Sequence, residues 1–157
     1  MAKIAQSLRL STDEIDNLMR SVAHMRIATI GPDTRINLTP MTFGWAGGHV
    51  YTYARGQKAA NLRRTPTATV LVDIGTTWRE LQGIMLQGTA KVLETAKDEA
   101  SDPHLAQARL NLGQKHGLSE NGQTASYAAT ASGNSRRWIA FLPEKIVSWD
   151  NAKLAKK

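Results

Sequence analysis

The sequence predicts a mainly β domain: an antiparallel sheet closed into a small barrel, with α-helices at its periphery. Three observations predict it. About seven runs rich in Val, Ile, Thr and aromatic residues alternate apolar and polar positions, as half-buried strands do. Most of them are joined by turn sequences, Gly31-Pro-Asp-Thr34, Ala46-Gly-Gly-His49 and Pro143-Glu144 among them, which favours hairpins over crossovers. Helical spacing is confined to three stretches, so helices decorate the sheet rather than build a layer of their own. A length of 157 residues suits one domain spanning 1–157 with a core of useful size.

Each element has a local reason. Ser11-Thr-Asp-Glu14 reads as a capping box, and Ile15, Leu18, Met19 and Val22 follow at helical spacing, giving a helix from about Thr12 to His24. Met25 to Ile30 is a strand. Arg35 to Trp45 is expected as a second, and Pro40 inside it requires an edge position, a bulge or a break. Val50 to Ala54 and Thr67 to Val72 are β-rich runs around a short helix, Gln57 to Arg64. Trp78 to Glu94 is expected as one long strand, bent or bulged at Gly83 and Gly88. Ala100 to Gly117 is expected as one helix, with Asp102 as N-cap and Pro103 in first position. The Ser, Ala, Asn and Gly-rich stretch 118–135 reads as a loop, flexible or lid-like. Arg136 to Leu142 and Lys145 to Trp149 are expected as the last two strands, turned at Pro143-Glu144.

The most informative stretch is Val50 to Asp73. From Arg55 to Val72 there is no acidic residue, yet Arg55, Lys58, Arg63 and Arg64 are cationic. Arg55 precedes a helix, where backbone N–H groups are unpaired and the helix dipole is positive. Lys58 and Asn61, three residues apart, are expected on one helix face. This arrangement suits a phosphate or carboxylate. The plain alternative is a solvated basic face.

Several chemistries are excluded. There are no cysteines, so thiolate catalysis, thiolate metal sites and disulfides are ruled out. His24, His49, His104 and His116 are scattered without a zinc-helix spacing. No serine elbow, phosphate loop or dinucleotide-binding glycine turn occurs. Neighbouring carboxylates, Asp13-Glu14 and Asp98-Glu99, lie in polar surroundings. An enzyme of this composition needs a bound organic cofactor for the hard step. The net charge of +7 favours an anionic small ligand over nucleic acid, because no aromatic residues interleave the basic cluster. No membrane span and no apolar signal core are present, so a cytoplasmic protein is expected.

Thr29-Ile-Gly-Pro-Asp33, Thr39-Pro-Met-Thr-Phe-Gly-Trp45, Lys58-Ala-Ala-Asn-Leu-Arg-Arg-Thr-Pro66, Glu80-Leu-Gln-Gly83, Gly88-Thr-Ala90 and Pro143-Glu-Lys-Ile-Val-Ser-Trp-Asp150 occur in order over roughly Met25 to Leu154. Together they resemble the flavin/deazaflavin split-barrel proteins, nearest the actinobacterial deazaflavin-dependent oxidoreductases of the pyridoxamine-phosphate-oxidase-like branch. The resemblance implies a split β-barrel homodimer with the cofactor at the subunit interface. It implies coenzyme F-420, an 8-hydroxy-5-deazaflavin, with FMN as the alternative on the same fold and a non-catalytic cofactor or haem binder as a third reading. It assigns Arg55, Lys58 and Asn61 to the cofactor phosphate, Arg63 and Arg64 to the phosphate or anionic tail, and Thr39, Pro40 and Met41 to the ring, with Trp78 as a further ring contact. Arg63 and Arg64 argue for a ligand with more negative charge than FMN. Gln82 and Thr42 depart from the family pattern, which often has Arg and an aromatic residue there.

Overall fold

The computed structural model describes residues 4–117 and 136–156; the expected loop at 118–135 lies outside them. In chain order the elements are α1 (Thr12–Ser21), β1 (His24–Ile30), β2 (Ile36–Thr42), β3 (Gly44–Ala46), β4 (His49–Ala54), α2 (Gln57–Arg64), β5 (Thr67–Ile74), β6 (Gln82–Leu93), α3 (Ala96–Ser101), α4 (Leu105–Lys115) and β7 (Arg137–Asp150). The seven strands form one sheet in the order β2-β1-β5-β6-β7-β4-β3. Every pairing is antiparallel. The sheet curls until β2 approaches β4, which makes it the half-barrel of a split barrel.

The strands enclose Met25, Ile27, Val70, Val72, Ile84 and Leu86, and α1 contributes Leu18 and Met19. The capping box forms as expected: Glu14 N donates to Ser11 Oγ at 3.2 Å, and Ser11 N to Glu14 Oε2 at 2.6 Å. The helix ends at Ser21, and His24 opens β1 instead of closing α1. On the outside, Tyr51, Leu93 and Trp138 seat Leu105 and Leu112 of α4. A Cβ at Gly44 would stand 2.0 Å from the carbonyl oxygen of Ala108, so α4 approaches β3 this closely only because residue 44 is glycine.

Four expectations need correction. The long run Arg35 to Trp45 breaks at buried Phe43: β2 pairs with β1, whereas β3 crosses to the other side and pairs with β4. Pro40 is tolerated because β2 is an edge strand, with no neighbour waiting for its missing N–H. Pro143-Glu144 is not a turn. β7 runs through it unbroken, and the pairing with β6 slips between Gln87 and Gly88, leaving Glu144 as the extra residue of a bulge. Gly88 therefore marks a bulge as expected, while Gly83 makes room for the indole of Trp149. Trp78–Glu80 forms a 3-10 turn before β6, because Glu80 Oε2 accepts from the N–H groups of Thr76 and Thr77. The expected helix Ala100 to Gly117 is two helices. Asp102 ends α3, and its carboxylate accepts from His104 N, Leu105 N and Tyr51 Oη at 2.7–3.0 Å, so it still caps the second helix from just outside it.

Candidate functional site

The seam where β2 meets β4 is where the cationic stretch arrives. β4 ends at Ala54, and Arg55 leads into Gly56, whose φ of 62° is a conformation open mainly to glycine. That bend starts α2 immediately beside the seam. No side chain caps its N-terminus, and its first turn has no acidic residue, so its leading N–H groups and positive dipole end are uncompensated by the helix itself.

A cavity of about 250 Å³ opens here, lined by Met41 and Thr42 of β2, Tyr53 and Ala54 of β4, Arg55, Lys58 and Arg136. Three cations and no carboxylate stand among these residues. Among the described residues neither Arg55 nor Lys58 takes part in an ion pair. The Arg136 guanidinium carbon lies 5.8 Å from the centre of the Tyr53 ring, within cation–π range. Thr39 shares a strand face with Met41, and its buried hydroxyl has no hydrogen-bond partner. Arg55 and Lys58, outside any ion pair among the described residues, and an orphaned hydroxyl fit an anionic ligand with polar ring edges.

Of the residues singled out in the sequence, Met41, Arg55 and Lys58 meet at this cavity, with Thr39 next to it along β2. Pro40 points the other way, into a hollow shared with His24, Arg26 and Asp73. Asn61 does not share a face with Lys58, which is half-buried and lines the cavity. It is fully buried, donating to Thr29 Oγ1 at 3.0 Å and accepting from Gln57 Nε2 at 2.7 Å and Arg64 Nη2 at 3.1 Å. Arg64 also donates to the Ile30 carbonyl at 2.8 Å. Arg63 donates to Glu94 through both Nε and Nη2, and this hydrogen bonding holds the Glu94 carboxyl below its ordinary range. Trp78, 63% exposed, sits with Arg79, Asn151 and Leu154 in the β5–β6 connection, away from the seam.

Sequence reasoning misses Tyr53 and Arg136 as site residues, and it marks Thr42 only as a departure from a family pattern. Strand register is the signal that finds Arg136: Ala54 pairs with Arg137, so one step further Arg136 comes level with Arg55.

A curled antiparallel sheet with a cationic cavity at its seam defines the class: a split-barrel protein with an anion-suited pocket beside a short basic helix. The chain belongs to the pyridoxamine 5'-phosphate oxidase family, whose model matches residues 11–150. Among solved structures, a conserved hypothetical protein from Mycobacterium tuberculosis is 25% identical with a TM-score of 0.81, over 98% of this chain and 93% of that one. The haem storage protein HutZ from Vibrio cholerae is 12% identical, TM-score 0.66, over 90% and 97% of the two chains. An F420 reductase is 16% identical, TM-score 0.60, over 84% and 94%. The last two likenesses are of fold. No curated protein matches the chain.

Proposed function

We propose that this protein is an oxidoreductase that binds a flavin-type cofactor at the seam cavity, and that the cofactor is coenzyme F-420, used to reduce an electron-poor small organic acceptor. The observation that carries the reading is the convergence of Arg55, Lys58 and Arg136 on one cavity with no carboxylate among its described lining residues. Family membership and the fold shared with an F420 reductase support it.

In this reading Arg55, Lys58 and the first N–H groups of α2 hold the cofactor phosphate. Thr39 and Met41 of β2 lie against the ring, and the Thr39 hydroxyl gains the partner it lacks. Bound in its reduced form, the deazaflavin would supply hydride from its C5. The chain holds ring and acceptor in contact, and orientation of this kind lowers a barrier by about 7 kcal/mol or more at best. Binding energy gathered at the phosphate fixes the ring at a distance from the reacting atom.

The working unit in this reading is a homodimer with the cofactor between two copies. Ile36 and Leu38, 73% and 63% exposed on edge strand β2, are the kind of apolar surface a second copy would cover. A ring contact from Trp78 would then have to come from the partner copy.

FMN is the second reading, and a specific observation favours keeping it. Arg63 and Arg64 are engaged by Glu94, Ile30 and Asn61, so they no longer argue for a more highly charged ligand. Fluorescence titration of the purified protein with F-420 and with FMN tests the proposal. Tight F-420 binding, with oxidation of the reduced coenzyme by quinones or enones, is expected. Binding of FMN alone would replace the cofactor, and binding of haem without turnover would replace the function.

A further inference from the structure

Two histidines that are far apart in sequence meet in the fold. His49 opens β4, and His104 stands immediately before α4. Their ring centres are 5.5 Å apart, with the planes inclined at 34°. The turn and the helix head touch closely here: a Cβ on Gly47 would stand 2.5 Å from three atoms of the His104 ring. His49 Nδ1 lies 2.8 Å from the Gly47 carbonyl oxygen, which can only accept, so Nδ1 carries the proton. That leaves the lone pair of neutral imidazole on Nε2, the arrangement in which a histidine ligates a metal. His104 is fixed through its backbone. Its N–H and that of Leu105 donate to Asp102 Oδ1, which also accepts from Tyr51 Oη. Among the described residues no hydrogen bond uses His49 Nε2 or either ring nitrogen of His104, and both residues are only half-buried.

We infer that His49 and His104 together bind a divalent ion of the zinc, nickel and copper group, pinning the β3–β4 turn to the head of α4. Imidazole suits these ions, whereas magnesium asks for oxygen ligands. Two imidazoles on one tetrahedral zinc ion, with Zn–N bonds of about 2.0–2.1 Å, have ring centres roughly 5 Å apart. The observed separation needs little adjustment to reach that. No third His, Asp or Glu completes a cage among the described residues, so water takes the remaining positions. The Asp102 carboxylate at the same corner favours a cation there. The site is separate from the seam cavity and does not depend on the proposed cofactor.

Calorimetric titration of the untagged protein with zinc chloride tests it, with magnesium chloride as the control. One zinc ion per chain is expected at this site, bound less tightly as the pH falls, because imidazole must lose its proton to ligate. His49→Phe and His104→Phe keep a ring in place and remove the nitrogens. Each is expected to weaken zinc binding about tenfold or more, since one imidazole alone loses the advantage of a second ligand already in position. Zinc is also expected to slow amide hydrogen exchange in the β3–β4 turn and the first turn of α4 together. Unchanged circular dichroism and melting temperature without zinc check that the variants fold. Should His104→Phe lose the fold, His49→Phe decides alone. Absence of zinc binding by the wild type, or binding that survives these substitutions, overturns the site. Zinc protection centred instead on His24 and His116, the other imidazole pair with ring centres 5.7 Å apart, overturns it as well.

Discussion

The two ends of α2 carry similar residues and meet different fates. At the first end, Arg55 and Lys58 face a cavity with no carboxylate among its described lining. At the other, Arg63 reaches Glu94 just past the end of β6, and Arg64 is held by the Ile30 carbonyl and the Asn61 side chain. A count of cations treats these ends alike. What separates them is the set of acceptors that distant strands bring alongside, and only the end left without acceptors has charge to offer a ligand.

The sharpest way to break this contrast is to neutralise each end in turn. Arg55→Gln with Lys58→Gln is expected to cost about 1.5–3 kcal/mol of binding per residue, the scale for hydrogen bonds to charged groups, towards F-420 or FMN alike. Arg63→Gln with Arg64→Gln is expected to change affinity less than about threefold. Fluorescence titration of both double variants checks it, and a comparable loss from the second pair would show that charge at the far end reaches the ligand after all.

The second contrast concerns Asn61, which sits between the two ends and serves neither directly. Its carboxamide joins Thr29 on β1, Gln57 and Arg64, and it is fully buried. Asn61→Ala leaves these partners without their acceptor or donor inside the protein. An expected loss of about 2–3 kcal/mol in urea unfolding follows from the penalty on unsatisfied buried polar groups. If stability is unchanged while cofactor affinity collapses, Asn61 is a ligand to the cofactor and not an anchor for α2.

How much of this is legible in the sequence differs along the chain. Local signals succeed: the Ser11–Glu14 box, the edge, bulge or break demanded by Pro40, the irregularity at Gly88 and the uncompensated start of α2 all act within a few residues. Signals that depend on pairing fail. Nothing near Phe43 says that the chain changes sides of the sheet there, and nothing near Pro143 says that a bulge absorbs it. The site divides the same way. Composition points to Arg55 and Lys58, which line the candidate cavity, whereas Arg136 is placed there by its register with β4, some eighty residues earlier in the chain. Asn61 and Arg63 have partners that sequence reasoning does not show, because Thr29 and Glu94 lie about thirty residues away.

Lys115 extends the contrast to a third setting, a largely buried cation with no carboxylate. Its ammonium donates to the Phe43 carbonyl at 3.1 Å and lies 3.3 Å from the centre of the Phe43 ring. Burial, assisted by nearby Arg20, pulls its pKa down to about 7. The unfolded chain holds this proton up to about pH 10.4, so between those values it binds more protons than the folded protein. Stability therefore rises with pH from about 7 towards 10, and the penalty is at its full size below 7. Lys115→Met removes the titration and keeps the packing. It is expected to stabilise the protein by about 1–2 kcal/mol at pH 7. That is well below the whole shift counted at about 1.4 kcal/mol for each tenfold change in proton affinity, because the ring and carbonyl contacts are lost with the lysine. Thermal melts from pH 7 to 9 should converge for the two proteins, and a variant less stable at pH 7 would show that the cation–π contact outweighs burial.

The smallest expected effect tests whether the compensated end of α2 matters to the fold. Glu94 takes two hydrogen bonds from Arg63, and Arg137 Nε stands 3.6 Å away from it, tying α2 to the ends of β6 and β7. Both members of the Arg63–Glu94 pair are 44% exposed, so solvent and salt screen most of the attraction. Glu94→Gln is expected to cost about 0.5–1 kcal/mol at pH 7. The Glu94 carboxyl titrates below its ordinary value of about 4.3, so the folded state releases this proton more readily than the unfolded one. Its contribution is complete above that value and disappears as the pH falls through the lowered range. Wild type and Glu94→Gln should thus separate slightly at pH 7 and draw together as the pH falls below the ordinary carboxylate range. A gap that persists in acid would mean that Glu94 acts through shape and not charge, and the two ends of α2 would then differ in packing as well as in their partners.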